Sequence, residues 1–164
     1  MITIRELDYD TSEKPEQLFS RLTWAVERVD GLFGQLINGV TVNTNRPWVG
    51  VYDESELKFG LVEPSGYFLN RKIFQIVVRG KITDDGEKTI VNIKLRLGWN
   101  TLFLFGLLYL GACFMIAFTA VLGELNDLWG VLLWILIFPG LGTFLLRKKL
   151  DKVERQVEDL FGLI

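Results

Sequence analysis

A chain of 164 residues, with 18 basic and 20 acidic side chains, has room for one compact domain or for a small domain joined to a membrane segment. Histidine is absent and Cys113 is the single cysteine, which excludes a Cys/His zinc site, a histidine general base and a disulfide within the chain. The net charge of −2 argues against a nucleic-acid partner.

The chain begins with a pattern of one strand followed by one amphipathic helix. Residues 1–10 alternate apolar and polar side chains, which predicts a short strand. Thr11 or Ser12 is placed to cap a helix, and Pro15 is tolerated in its first turn. Apolar residues then recur at helical spacing until Asp30-Gly31, where we expect the helix to end.

From residue 39 onward the pattern is typical of β-structure. Four runs are rich in β-forming residues and separated by turn-forming residues: Val49–Asp53, Leu57–Val62, Ile73–Thr83 and Lys88–Leu97. In the last two runs, pairing Thr83 with Lys88 puts the apolar side chains on one face and the charged ones on the other. With the helix covering the apolar face, residues 1–98 are predicted to form a soluble α+β module, two layers in the order β-α-β-β-β-β.

The middle of the chain predicts a two-helix transmembrane hairpin over residues 99–146. The runs 101–122 and 128–146 carry no charge and measure roughly 33 and 28 Å as helices, enough for a bilayer core of about 30 Å. Only residues 123–127 separate them. The spans lack ionisable groups, so we interpret them as an anchor and not as an ion path.

The flanks of the hairpin predict its orientation. Arg147, Lys148 and Lys149 follow the second span, whereas the turn at 123–127 is acidic. The positive-inside rule then places both termini in the cytoplasm and the turn on the outer side of the membrane. Within the spans, Cys113 and Ala117 have the small-residue spacing of helix contacts, and Pro139 is expected to kink or loosen the second helix.

Residues 147–164 predict a C-terminal amphipathic helix on the cytoplasmic side. Apolar side chains recur there at three- and four-residue spacing, with charges on the opposite side. The helix could lie on lipid headgroups, dock on the module or pair with a second copy. Because acids alternate with its bases, docking or self-association is favoured over adsorption to a membrane surface.

The segment next to the bilayer is the basic part of the module. Residues 71–96 carry seven bases and three acids, and anionic lipids attract such bases by about 1 kcal/mol each. The sequence predicts contacts with anionic lipid headgroups, the alternative being a solvated polar face. The predicted contact residues are Arg71, Lys72, Arg79, Lys81, Lys94 and Arg96.

No catalytic, cofactor or metal site is predicted. Asp84-Asp85-Gly86 lacks the alternating ligands of a calcium loop and is interpreted as a hairpin turn. The acids at 53–56 are interpreted as a solvated loop. The glycines between 31 and 39 lack the spacing of phosphate-binding loops. An enzyme would need Asp, Glu, Lys or Tyr chemistry in a pocket between the helix and the sheet.

The pattern Asn70-Arg71…Arg79-Gly80-Lys81-Ile82…Gly86…Thr89, followed by two spans, resembles uncharacterised small bacterial membrane proteins with a β-rich cytoplasmic module. The resemblance implies an inner-membrane location and no particular activity. Two functions remain open. One is a membrane-anchored binding or scaffold module that recruits a protein partner, a second copy or anionic lipid; the other is an accessory subunit that packs into a larger membrane complex through its spans.

Overall fold

The computed structural model describes residues 2–29, 44–64, 75–122 and 128–163. In these ranges it is an α+β structure with a six-stranded sheet and three helices, which confirms the predicted class. The strands are β1 (Thr3–Thr11), β2 (Val26–Arg28), β3 (Trp48–Asp53), β4 (Lys58–Val62), β5 (Ile76–Asp84) and β6 (Thr89–Leu97). The helices are α1 (Pro15–Ala25), α2 (Trp99–Leu122) and α3 (Leu128–Phe161).

The sheet has the strand order β1-β6-β5-β4-β3-β2, so the first two strands of the chain form its opposite edges. β2 and β3 are parallel and the other neighbours are antiparallel. The strand β2 was not predicted. The helix ends at Ala25, not at Asp30-Gly31, because Val26 leaves the helix to pair with Trp48 and is buried.

The beginning of α1 also differs from the prediction. Its N-cap residue is Lys14, which provides no side-chain hydrogen bond, while Thr11 is the last residue of β1. Pro15 occupies the first turn as expected, where its missing N–H costs nothing. At the other end, the Arg46 side chain donates to the carbonyl oxygens of Thr23 and Val26, at 3.2 and 2.5 Å. These bonds satisfy acceptors that the helix end leaves open.

The β5–β6 hairpin has the predicted faces but a different register. Asp84 pairs with Thr89, so each residue of β5 lies opposite a partner two positions later than expected. A shift of two residues preserves the side on which each side chain lies, and Ile82 and the other apolar residues still share one face. The cause is the turn: Gly86 has φ +81°, which favours a tight two-residue turn closed by the Asp85 N–H to Lys88 oxygen bond of 2.9 Å.

The core lies between the inner face of the sheet and two helical segments, α1 and the last part of α3. From α3, the buried side chains are Leu150, Val153, Val157 and Phe161. From α1 and the sheet, they include Leu18, Leu22, Leu61, Val78, Val91, Ile93 and Leu95. Residues 147–161 therefore dock on the module, one of the predicted alternatives, and form one core with it.

The predicted second span and the predicted C-terminal helix are one continuous helix. α3 runs through Pro139 and through the basic residues at 147–149 without a break. A length of 34 residues corresponds to roughly 51 Å. Its apolar first half and its docked second half are consequently linked without a hinge loop.

The junction between β6 and α2 is also tight. Gly98 separates them and donates its N–H to the Gln75 oxygen at 2.8 Å, while the Gln75 N–H donates to Oγ1 of the buried Thr101 at 2.9 Å. A Cβ atom on Gly98 would lie 2.9 Å from Oε1 of Gln75. The sheet thus passes directly into α2.

The small-residue face predicted for helix contact is wrong. Cys113 and Ala117 are exposed, whereas Ala112 and Thr119 are buried. The buried residues of α2 therefore lie on a different side of the helix from the predicted pair.

Candidate membrane-facing site

α2 has the surface of a helix that meets an apolar environment. Its stretch Thr101–Thr119 has a mean hydropathy of 2.2, and only 11% of it is buried within the protein. Large apolar side chains are exposed along it: Phe103, Leu107, Leu110, Phe114, Phe118 and Val121. By length and composition this is one candidate membrane span in the described part of the chain.

The second predicted span is not confirmed. The backbone of residues 128–146 is helical, and the described side chains of Ile137, Leu141, Phe144 and Leu145 are exposed. Most other side chains of this stretch, and the turn at 123–127, lie outside the described residues. The two-span hairpin and its orientation accordingly remain predictions.

The sheet register gives the distance of each predicted cation from the end of the sheet where α2 begins. Leu97 and Ile76 are paired in the last row. Arg96 is one position away from this row, about 3 Å along the strand. Arg79 and Lys94 lie opposite each other about 10 Å from the row, and Lys81 lies about 16 Å from it. Of the six predicted cations, the structure thus brings four to the outer face of β5 and β6, while Arg71 and Lys72 lie outside the described residues.

The charges of these four residues are not equivalent. Lys94 forms an ion pair with Glu6 of β1 at 2.5 Å, and this hydrogen bond, together with the nearby Arg96, holds the pKa of Glu6 below its usual value. The pKa of Arg79 is lowered, first by burial and then by the positive charge of Arg96. The side-chain Nε of Arg96 is buried without a hydrogen-bond partner among the described residues.

A row of polar contacts fastens the last part of α3 to the sheet, and the sequence did not predict it. Arg5 of β1 binds Asp151 at 3.2 Å and also Glu154, and Tyr9 donates its hydroxyl proton to Glu158 at 2.8 Å. Burial, followed by the hydrogen bond to Glu158 and then its negative charge, raises the pKa of the Tyr9 hydroxyl. The paired residues lie about 150 positions apart, on the first strand and the last helix. They meet only in the folded domain, so their spacing in the sequence could not predict the contacts.

On the opposite side of this segment, Lys149 forms an ion pair with Glu63, which follows β4. Both side chains are largely buried. The basic cluster at 147–149, interpreted from the sequence as a membrane-orienting signal, therefore includes one lysine that pairs within the protein.

The acidic sequences rejected as metal sites act as turn residues. The Asp84 side chain accepts the Gly86 N–H at 2.9 Å. Asp53 accepts the hydroxyl and the N–H of Ser55 at 2.7 and 2.9 Å, and these bonds lower the pKa of its carboxyl group. In the described ranges, no three His, Cys, Asp or Glu residues are grouped to hold a metal ion. Between α1 and the sheet, Leu18 and Leu22 are buried in the core, whereas residues 12–16 and the β5–β6 turn line an open cavity.

Comparisons with protein-family models, with curated proteins and with solved structures find no match for this chain. The resemblance to small bacterial membrane proteins therefore stays a prediction.

Proposed function

We propose that the protein is a membrane-anchored binding module on the cytoplasmic face of a bacterial inner membrane, which recruits a protein partner or anionic lipid. The observation that carries this proposal is the composition of the core. Residues from before α2, such as Leu18 and Ile93, and residues from after it, such as Val153 and Phe161, are buried together. The segment that contains α2 and the first half of α3 is thus an insertion into one α+β domain.

This arrangement supports an even number of membrane crossings. The parts of one hydrophobic core cannot lie on opposite sides of a bilayer, so a chain that crosses through α2 has to return before residue 150. The stretch 128–146 is the only uncharged one available between these points. Both segments are helical, so each would satisfy its backbone hydrogen bonds internally while it crosses the bilayer.

The direction of the hairpin rests on its flanking charges. Arg147 and Lys148 are exposed where α3 reaches the sheet, and Arg96 precedes α2, whereas the turn carries Glu124 and Asp127. Basic residues close to span ends are retained in the cytoplasm. The domain, with both chain ends, is then cytoplasmic, and this is the part that offers a surface to partners.

The test is labelling with a membrane-impermeant maleimide in the Cys113→Ser background. Single cysteines are placed at Asn126 in the turn, Glu87 in the β5–β6 turn and Arg155 on α3. In spheroplasts we expect labelling at position 126 only, and at 87 and 155 after lysis. Labelling of 87 and 155 on opposite sides would refute the single-domain topology, and release of the unmodified protein by alkaline carbonate would refute anchoring.

A further inference from the structure

A polar cavity of roughly 530 Å³ opens at the end of the sheet opposite α2. It is lined by residues 12–16, which lead into α1, and by the β5–β6 turn. Thr89 in this lining is eight positions along β6 from Leu97, a distance of about 26 Å. In the proposed topology the cavity therefore faces the cytoplasm, away from the lipid headgroups.

The inner face of the sheet changes from apolar to polar at this cavity. Ile82 and Val91 form a buried cross-strand pair of the core. The next pair on the same face is Asp84 with Thr89, whose Cβ atoms are about 5 Å apart by the geometry of such pairs. The cavity thus begins where the hydrophobic core ends.

Thr89 brings an unsatisfied hydroxyl group to the lining. The residue is only 4% exposed, and its hydroxyl forms no hydrogen bond with any residue that the structure describes. Its neighbour on β1, Thr11, instead accepts the Glu13 N–H at 3.2 Å. Because almost all buried polar groups are hydrogen-bonded, the Thr89 hydroxyl calls for a partner that enters the cavity.

The acids and bases of the lining are not balanced. Two of these charges are already paired: Glu13 with Arg21 at 2.9 Å, and Lys88 with Asp10 at 3.4 Å. The acids of the lining that have no ion pair in the described ranges are Glu16, Asp84 and Glu87. Lys14 is the remaining base, so three carboxylates against one ammonium leave a net charge of −2. The cavity therefore attracts a cation.

An anion and a metal ion fit this lining less well. The start of a helix binds anions through free N–H groups, but Pro15 has none. The N–H groups of Gln17 and Leu18 both donate to the Lys14 oxygen, at 3.0 and 3.3 Å. Nor do the described residues group three His, Cys, Asp or Glu side chains around a metal position. An organic cation is the ligand class that remains.

We propose that this cavity binds a primary ammonium group, carried by a polyamine or by a lysine side chain of a partner protein. An ammonium has three N–H donors. The Thr89 hydroxyl oxygen accepts one, and the Asp84 carboxylate oxygen that does not bind the Gly86 N–H accepts the second. The third donates to the carboxylate of Glu87 or Glu16. Such charge-assisted hydrogen bonds are about twice as strong as neutral ones.

The experiment is an NMR titration of the full chain in neutral detergent, read from the backbone amide signals. The probes are 1,4-diaminobutane, a blocked pentapeptide with a central lysine, and 1,4-butanediol as the neutral analogue. We expect an amine to shift the signals of residues 12–16 and 84–89 saturably, and the diol to leave them unchanged. Saturation by the diamine alone identifies a polyamine site, and saturation by the peptide identifies a site for a protein lysine. If neither amine saturates these signals, the proposal is overturned.

Two variants test the acceptors. Glu87→Gln removes an exposed carboxylate and should weaken amine binding about two- to fivefold. Thr89→Val keeps the shape and the charge but removes the hydroxyl, and it should weaken binding by a similar factor. The amide spectrum shows whether each variant retains its fold, and Glu87→Gln keeps the test valid if Thr89→Val does not.

Glu6→Gln is the matched control. Glu6 is five positions along β1 from Thr11, about 17 Å, so the same charge is removed beyond a Debye length of about 10 Å. We expect its amine affinity to equal that of the wild type. Equal losses in the Glu6 and Glu87 variants would reduce the binding to a general attraction by an acidic protein, and undiminished binding by a folded Thr89→Val variant would exclude the hydroxyl; either result overturns the site.

The cavity depends on the folded domain and not on the membrane anchoring. A protein that resists carbonate extraction but binds no amine refutes this inference alone. A protein that binds amine but is extracted by carbonate refutes only the anchoring.

Discussion

Phe161→Ala tests the central structural conclusion, that the end of α3 belongs to the core of the sheet domain. The Phe161 side chain has no exposed surface, and its ring lies 5.3 Å from the ring of Phe59 on β4, centroid to centroid. Removing a buried phenylalanine side chain costs about 3–5 kcal/mol in free energy of unfolding. Loss of the aromatic pair contributes about 0.5–1.5 kcal/mol of this.

The expected loss is large compared with the stability of the whole domain. A domain of this size is stabilised by about 5–15 kcal/mol, so about a fifth or more of the free energy of unfolding depends on one side chain in the last turn of α3. With a urea dependence of about 1–3 kcal/mol per molar, the midpoint of unfolding should fall by at least about 1 M.

The assay is urea unfolding of the full chain in neutral detergent, followed by circular dichroism and by proteolysis of the sheet. Phe144→Ala is the matched control, since Phe144 lies in the apolar half of the same helix and is 63% exposed. We expect it to leave the midpoint unchanged. An unchanged midpoint for Phe161→Ala would show that α3 does not dock on the sheet, and the argument for two crossings would fail with it.

Two further predictions concern the contacts at the edges of the domain. Because the folded-state pKa of Tyr9 is raised, the bond to Glu158 stabilises the fold fully below the ordinary tyrosine pKa of about 10, and this stabilisation is lost as the pH rises through the folded-state value. Tyr9→Phe should cost about 1–3 kcal/mol at pH 8, and its deficit relative to wild type should shrink above pH 10; a constant deficit in urea midpoints across this range would contradict the assignment. Gly98→Ala should destabilise the protein by about 1–3 kcal/mol, because the new Cβ would meet Gln75. Gly106→Ala is the control and should be neutral or stabilising, because the space around Gly106 is open. Equal unfolding midpoints for the two variants would show that the strand-to-helix junction is not tight.

Local patterns predicted those parts of the fold that local physics decides. The alternation of apolar residues in β5 and β6 fixed which side chains face the core, since a two-residue change in register does not move a side chain to the other face. The register itself depended on the turn, where the positive φ of Gly86 decides the outcome. The helix end at Ala25 could not be read from helical spacing, because Val26 fits a helix face and a buried strand equally well.

Long-range pairing explains what the sequence did not predict. Helix α1 has 11 residues and a length of roughly 16 Å, while six strands make a sheet about 24 Å wide between its edge strands. One helix cannot cover that face, and this mismatch is the signal that would have assigned residues 147–161 to the core. The difference between Lys94 and Arg96 likewise depends on Glu6, which reaches β6 only because the first strand of the chain pairs with the last.

The continuity of α3 from its apolar half into the core has a mechanical consequence. α3 is continuous from Leu128 to Phe161, so a shift of its apolar half along the helix axis displaces Leu150, Val153 and Val157 across the sheet by the same amount. Packed cores tolerate such displacement poorly, because side chains interdigitate at close to crystal density. In the proposed topology, the depth of α3 in a bilayer and the packing of the core would therefore be coupled. The ion pairs of Arg5 with Asp151 and of Lys149 with Glu63 lie at the start of the docked segment, where they resist a shift of α3 along the sheet.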